Sequence, residues 1–472
     1  MRTLWLLLPL FAAAPLQAQT HADSALVGRI LTAEDRRDST DAAIAEGLRN
    51  GNATVRTIAT RALWRIRDPR FAARDSLPPA PAPRAWPEPA WRLRYRALAQ
   101  RRDDCAALRA ALGDSVWHVR LRAVDLVPAS CGADSALVGT LARWVDALPR
   151  TSRREAGGVS WHAAAHAEVA LARIAPEQAR RQVVRLATHP DWHVRMYAAR
   201  AAAVLADTPL LRRLAVDANG NVQEAALDSL SRLVGHAADD VYLRALRSNG
   251  AQAVRSAAIA LKGSPDPRVR AAANEAFERW VRHANESERD ARVALLEAAG
   301  RPVTDDRPPP GRFDLPAEAV ALAFGKDVRV RVTMSPASGG GSFVVRLRGD
   351  VAPVMAARIL ALVRAGYYDG GNWHRVEPDF VIQGGAAGTN EYVGDAHFLR
   401  DELATIAHPR GTVGMSTRGH DTGDAQWFIN LKDNPRLVRD YTVFAEVVDG
   451  IDVVDGVLEG DIVDTMRVEP RQ

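Results

Sequence analysis

One short pattern, Val-Arg-x-x-Ala, constrains residues 21–300 more than any other feature of the chain. It occurs at Val55-Arg56/Ala59, Val119-Arg120/Ala123, Val194-Arg195/Ala198, Val254-Arg255/Ala258 and Val269-Arg270/Ala273, with Val222-Gln223/Ala226 as a variant. Asn52, Asp191, Asn219 and Asp266 stand three positions before the valine in four of the copies. A side-chain oxygen there accepts a hydrogen bond from a free N–H of the first turn and so starts a helix. The valine and the alanine four residues later share one helix face, and the small alanine lets a neighbouring helix approach closely. Intervals of 28, 32 and twice 32 residues between valines are the length of a two-helix unit. The short step from Val254 to Val269 places the pattern on successive helices.

In aggregate this segment resembles HEAT-type repeats of the short variety, whose second helix opens Asp-x-x-Val-Arg. The resemblance implies an all-α solenoid over residues 19–306, buried by stacking and exposing long curved surfaces. The arginine after each valine reads as structural or solvated rather than as a ligand contact. Two interruptions are expected to be loops. Pro78 to Pro89 (PPAPAPRAWPEP) has too many prolines for a helix, and Pro149 to Gly158 reads as a surface loop. His162 and His166 share i, i+4 spacing, but no third ligand or adjacent glutamate completes a metal motif.

The first residues, MRTLWLLLPLFAAAPLQAQT, have one early charge, an apolar stretch from Leu4 to about Ala14 and a polar end. This is the layout of a secretory signal peptide, with cleavage expected after Ala18. No later stretch reaches the ~18 apolar residues a membrane helix needs, so the mature chain is expected to be exported, periplasmic or secreted, without a transmembrane segment. In such a compartment Cys105 and Cys131 can form a bridge, though two buried free thiols fit the sequence equally well. Two cysteines are too few for a four-ligand zinc site.

Charge separates the chain into two parts. Residues 320–472 carry 16 Lys+Arg against 21 Asp+Glu, leaving a net of +10 on the residues before them. The basic part supports only non-specific attraction to phosphate, and no nucleic-acid readout motif is present, so a protein partner of unknown identity is expected on the repeats. The only lysines are Lys262, Lys326 and Lys432, which leaves little for lysine-dependent phosphate or Schiff-base chemistry.

Arg307 to Gly311 ends the helical pattern, and residues 307–326 read as a proline-rich linker. The period then changes to alternation at Val328, Val330 and Val332. A second strand follows at Phe343–Leu347, and a helix from about Val351 to Ala365 stops at Gly366. Three blocks come next in order: YYDGGNWHRVEPDFVIQGG from Tyr367, GTVGMSTRGHDTGDAQWFINL from Gly411, and LVRDYTVFAEV from Leu437. Together they resemble the signature segments of the cyclophilins, which implies a mostly β closed barrel with helices over residues 327–472. It also implies peptidyl-prolyl cis-trans isomerase activity on proline-containing polypeptides, without metal or cofactor.

By that resemblance Arg375 is the catalytic residue. Phe380, Met415 and Phe428 match the pocket for the proline ring, with Val381 at its floor, where many relatives have methionine, and Leu437 at its edge. Gln383 matches the amide that contacts the substrate carbonyl, and Gln426 lies in the neighbouring motif. Thr417 matches a position whose backbone bonds the peptide, with Ser416 beside it. Tyr441 replaces a histidine common in eukaryotic members. Trp427 replaces a buried phenylalanine and reads as packing. Arg436 aligns with the tryptophan that gives some members high cyclosporin affinity, so weak binding is expected. His374 is expected to orient its strand by hydrogen bonding. The competing reading is a scaffold whose barrel binds proline-containing peptides without turnover.

Overall fold

The computed structural model describes residues 20–67, 80–150, 160–283, 285–303 and 314–470. The expected signal peptide, most of the expected loop from Pro149 to Gly158 and the start of the expected linker lie outside these residues.

Three helices open the fold: α1 (His21–Asp35), α2 (Ala42–Leu48) and α3 (Ala53–Ile66). Among the described residues thirteen more follow, from α4 (Trp91–Gln100) to α16 (Arg289–Ala298). The capping residues act as the pattern requires. Asn52, Asp191 and Asn219 accept from Thr54, His193 and Asn221 N–H, and Asp266 accepts from Arg268 N–H at 2.9 Å. The motif arginines also have a local task. Arg56, Arg120 and Arg195 each reach back six residues, to the carbonyls of Asn50, Asp114 and His189, and Gln223 does the same to Asp217. These carbonyls sit in the turn before each helix, where no ladder can satisfy them. In these three copies the motif arginine is thus a structural residue of the turn.

The inner layer comprises α6 (Trp117–Leu126), α8 (Trp161–Ile174), α10 (Trp192–Val204), α12 (Gly220–Val234) and α14 (Ala251–Leu261). Cys105, which opens α5 (Cys105–Ala111), is disulfide-bonded to Cys131.

The remainder is one antiparallel sheet of eight strands in the order β3-β4-β6-β5-β7-β2-β1-β8. The strands are β1 (Arg329–Met334), β2 (Ser342–Leu347), β3 (Arg375–Val376), β4 (Val381–Gly384), β5 (Thr412–Met415), β6 (Trp427–Asn430), β7 (Val443–Asp449) and β8 (Val463–Val468). Its two ends meet through backbone bonds, Gly370 N–H to Val463 O at 2.8 Å and Trp373 N–H to Asp461 O at 2.9 Å, so the sheet closes on itself. Closure removes the exposed edges of the sheet. Helix α18 (Pro353–Arg364) packs on it and stops where Gly366 takes φ +70°. Part of the expected linker is a short helix, α17 (Ala319–Ala323), packed on α18 and α1.

Apolar cores do not follow the proline-rich stretch. One core runs from Leu98 to Ala299 within the helices. The other joins Leu26, Ile30, Ile44 and Ile58 of the first three helices to Val330, Phe343, Trp373 and Phe444 of the barrel. Arg65, 1% exposed, fastens this union by donating to the carbonyls of Val351, Glu402 and Leu403 and to the Glu34 carboxylate.

The rest of the array runs around the barrel as a collar. The proline-rich stretch at 80–89 is extended, as expected, and lies along β7: Trp86 Nε1–H donates to Val447 O at 3.0 Å and Arg84 N–H to Glu446 at 2.7 Å. Beyond it, the first turns of the inner helices meet the barrel in succession. His118 donates to Asp455 O at 3.0 Å, His162 to Glu459 O at 2.6 Å, and Asn221 to Thr389 Oγ1 at 3.0 Å. His193 abuts Gly460, where a Cβ would lie 2.8 Å from its Nε2. His118, His193 and Asn221 all occupy the position just before the motif valine.

Candidate active site

Strand register creates the site. Arg375 on β3 is opposite Gln383 on β4, and Gln383 is opposite Phe428 on β6. Residues far apart in sequence are thereby adjacent on the outer face of the barrel. Phe428 lies over Gly414 of β5, where a Cβ would come within 2.3 Å of the ring, so only glycine leaves room for it.

Phe380, Val381, Phe428, Leu437 and Tyr441 form a small apolar cluster separate from the two cores. They line a pocket of about 170 Å3, with Arg375, Gln383, Ser416 and Thr417 also on its walls. Tyr441 meets Phe428 edge-on, with ring centroids 5.5 Å apart, and the Arg436 guanidinium lies 4.2 Å over the Phe380 ring. The pocket is thus an apolar hollow with a charged rim.

Gln383 is held from both ends of its amide. Its oxygen accepts from Arg375 Nη1–H at 3.4 Å, and its nitrogen donates to Ser416 Oγ at 2.8 Å. Arg375 is 39% exposed in its side chain and flanked by Glu391 at 3.6 Å and Glu377 at 4.0 Å. Its guanidinium is therefore steered but not sealed off. Gln426 stands behind Gln383, buried, and donates to Glu391 O at 3.2 Å.

Two sequence expectations are corrected. Met415 does not line the pocket: it is fully buried in the barrel core. Side chains alternate faces along a strand, so Met415, next to Gly414, points away from Phe428. Trp427 points inward for the same reason and packs edge-on against Trp373, with centroids 4.9 Å apart. His374, in turn, does not orient its strand by hydrogen bonding. Both ring nitrogens are buried without a partner among the described residues, and burial beside the Arg375 charge pushes its pKa down to about 4, so the ring is neutral.

Two site residues are absent from the sequence reading. Glu391 reaches Arg375 from the loop after β4, and Arg418 lines the pocket while its guanidinium pairs with Asp290 at 2.6 Å and donates to Ser287 O at 2.8 Å. Neither position stands out in sequence, because the partners of both are distant in the chain. His162 and His166 are each engaged: His166 bonds Asp125 at 2.6 Å and Tyr197 at 2.9 Å. Among the described residues no three His, Cys, Asp or Glu side chains are grouped to hold a metal.

The arrangement can seat a proline ring in the hollow and present a fixed cation at its rim. A family model for the cyclophilin type peptidyl-prolyl cis-trans isomerase/CLD matches residues 330–471. A peptidyl-prolyl cis-trans isomerase of Helicobacter pylori is 33% identical over 130 residues, covering 27% of this chain and 80% of that protein. Peptidyl-prolyl cis-trans isomerase B of Bacillus subtilis is 33% identical over 132 residues, covering 28% and 92%. Among solved structures, a Cryptosporidium parvum cyclophilin type isomerase aligns with 31% of this chain and 99% of its own at 21% identity, with a TM-score of 0.29.

Proposed function

The chain belongs to the cyclophilin-type peptidyl-prolyl cis-trans isomerases, and from that premise we propose that it isomerises prolyl bonds of exported polypeptides, with Arg375 as the catalytic residue. The observation that carries this reading is the Arg375 guanidinium on the rim of an apolar pocket of about 170 Å3.

Rotation about an X–Pro bond is slow because amide resonance must be broken, at a barrier of about 20 kcal/mol. As resonance is lost, the proline nitrogen gains a lone pair. Arg375, always charged, donates a hydrogen bond to that nitrogen and so stabilises the twisted amide more than either planar form. Phe380, Val381, Phe428, Leu437 and Tyr441 hold the ring. The Gln383 amide, already oriented by Arg375 and Ser416, contacts the substrate carbonyl. The backbone of Ser416 and Thr417 holds the flanking peptide.

Export is supported by the N-terminal pattern and by the Cys105–Cys131 bridge, which persists in oxidising compartments. Client binding by the helical array is the second part of the proposal. Because the first turns of the inner helices are already engaged by the barrel, that binding belongs where the array leaves a gap beside the pocket.

The test is the cis-to-trans rate of a short Ala-Pro peptide with wild type and Arg375→Ala. Loss of a single preorganised donor predicts a fall of about 100-fold or more in kcat/KM. Wild-type binding of the peptide without acceleration would transfer the reading to a scaffold. Cell fractionation tests export separately.

A further inference from the structure

A cleft of about 620 Å3 separates the inner helices from the barrel beside β3. Arg375 and Glu391 line both this cleft and the prolyl pocket, so the two hollows adjoin across this pair of side chains. The pocket is small and the cleft is much larger. A polypeptide whose proline sits in the pocket, and which leaves over Arg375, enters the cleft. Its volume falls within the ~300–1,000 Å3 typical of sites that enclose a short segment or small molecule.

The opposite wall is supplied by the array: Tyr95, Tyr197, Arg200, Glu224 and Asp228. Six carboxylates, Asp125, Glu224, Asp228, Glu377, Glu391 and Glu459, face the cleft against four arginines. Some of this charge is matched inside the protein, as Arg375 with Glu391 at 3.6 Å and Arg200 with Glu459 at 3.9 Å. Glu224 and Asp228 are less well matched. They share one face of α12, and the cation nearest Glu224 is Arg255 at 3.8 Å, which is itself stacked on Tyr392 at 3.9 Å. Burial, reinforced by Asp228, raises the Glu224 carboxyl to about 7.

We propose that this cleft is a second part of the substrate site, which takes the chain flanking the isomerised proline and favours lysine or arginine in it through Glu224 and Asp228. The proposal rests on Arg375 marking the isomerase site, and it gives the array a direct part in choosing substrates.

The experiment uses the full chain and peptides with one Ala-Pro bond, carrying Lys, Ala or Glu two to four residues before or after the proline. For wild type the Lys peptides are expected to exceed their Glu counterparts in kcat/KM by about fivefold on the side that enters the cleft, the size of one partly screened ion pair. Glu224→Gln/Asp228→Asn is expected to bring that ratio close to one, with thermal unfolding confirming that the variant is folded. A wild-type ratio near one on both sides of the proline, or a ratio that the double variant leaves intact, overturns the proposal. No acceleration of the plain Ala-Pro peptide by wild type would instead refute the isomerase reading beneath it.

Discussion

Replacing Arg65 with methionine tests whether the first three helices and the barrel form one unit. The side chain is 1% exposed and bonds three barrel carbonyls and the Glu34 carboxylate, and its Nη1 lies 3.8 Å from the Glu402 carboxylate. Methionine keeps most of the stem volume but removes the cation that bonds Glu34 and lies against Glu402, leaving only the more distant pull of Arg61 on these two buried acids among the described residues. Breaking a buried pair from one side typically costs about 3–5 kcal/mol. At ~2–4 °C per kcal/mol for a unit of this size, the midpoint falls by about 10 °C. Burial already raises the Glu402 carboxyl to about 7, and Arg65 is the main influence pulling it down. Without Arg65 that carboxyl moves further up. A raised carboxyl gives stability that is complete below its unfolded value and lost as pH rises through its folded one. The deficit of the variant must therefore grow from pH 5 to pH 8. Thermal unfolding by circular dichroism and tryptophan fluorescence at those two pH values reads this, with Arg94→Met, a surface pair with Asp114, as control. A deficit under about 1 kcal/mol at pH 8, or one that shrinks with pH, would refute the reasoning.

Two further outcomes follow from buried groups in the array. Glu168 on α8 is fully buried, neither carboxylate oxygen has a hydrogen-bond partner among the described residues, and burial raises its pKa to about 8. Its stability contribution is lost between about pH 4.5 and pH 8, so Glu168→Gln is expected to be the more stable form at pH 8, by roughly 2–5 kcal/mol, and similar to wild type at pH 4.5; urea unfolding at both pH values checks this. The Cys105–Cys131 bridge spans a sequence separation of 26. Its removal in Cys105→Ser/Cys131→Ser is expected to lower array stability by about 3 kcal/mol, read as a reduced urea midpoint.

Much of the barrel and its pocket is legible in the sequence. Arg375, Phe380, Gln383 and Phe428 lie within recognisable blocks, and strand pairing brings those blocks side by side. Met415 shows the limit of that reading: a motif says which residues are near the site, while the pleat decides which face each occupies. The helices are equally legible, since Asn52, Asp191 and Asn219 cap them as the pattern demands. The collar is not. His118, His193 and Asn221 look like ordinary polar first-turn residues until the barrel residues they meet, far downstream, are brought beside them. Glu391 and Arg418 escape notice for the same reason.

The union of α1–α3 with the barrel core bears on how the chain matures. Synthesis proceeds from the N-terminus, so Leu26, Ile30 and Ile58 emerge first, while the strands that cover them are made last. Contacts this distant in sequence slow folding, and uncovered apolar surface in the interval invites aggregation. A prolyl isomerase built this way is itself slow to fold and prone to aggregate until its own last third is complete.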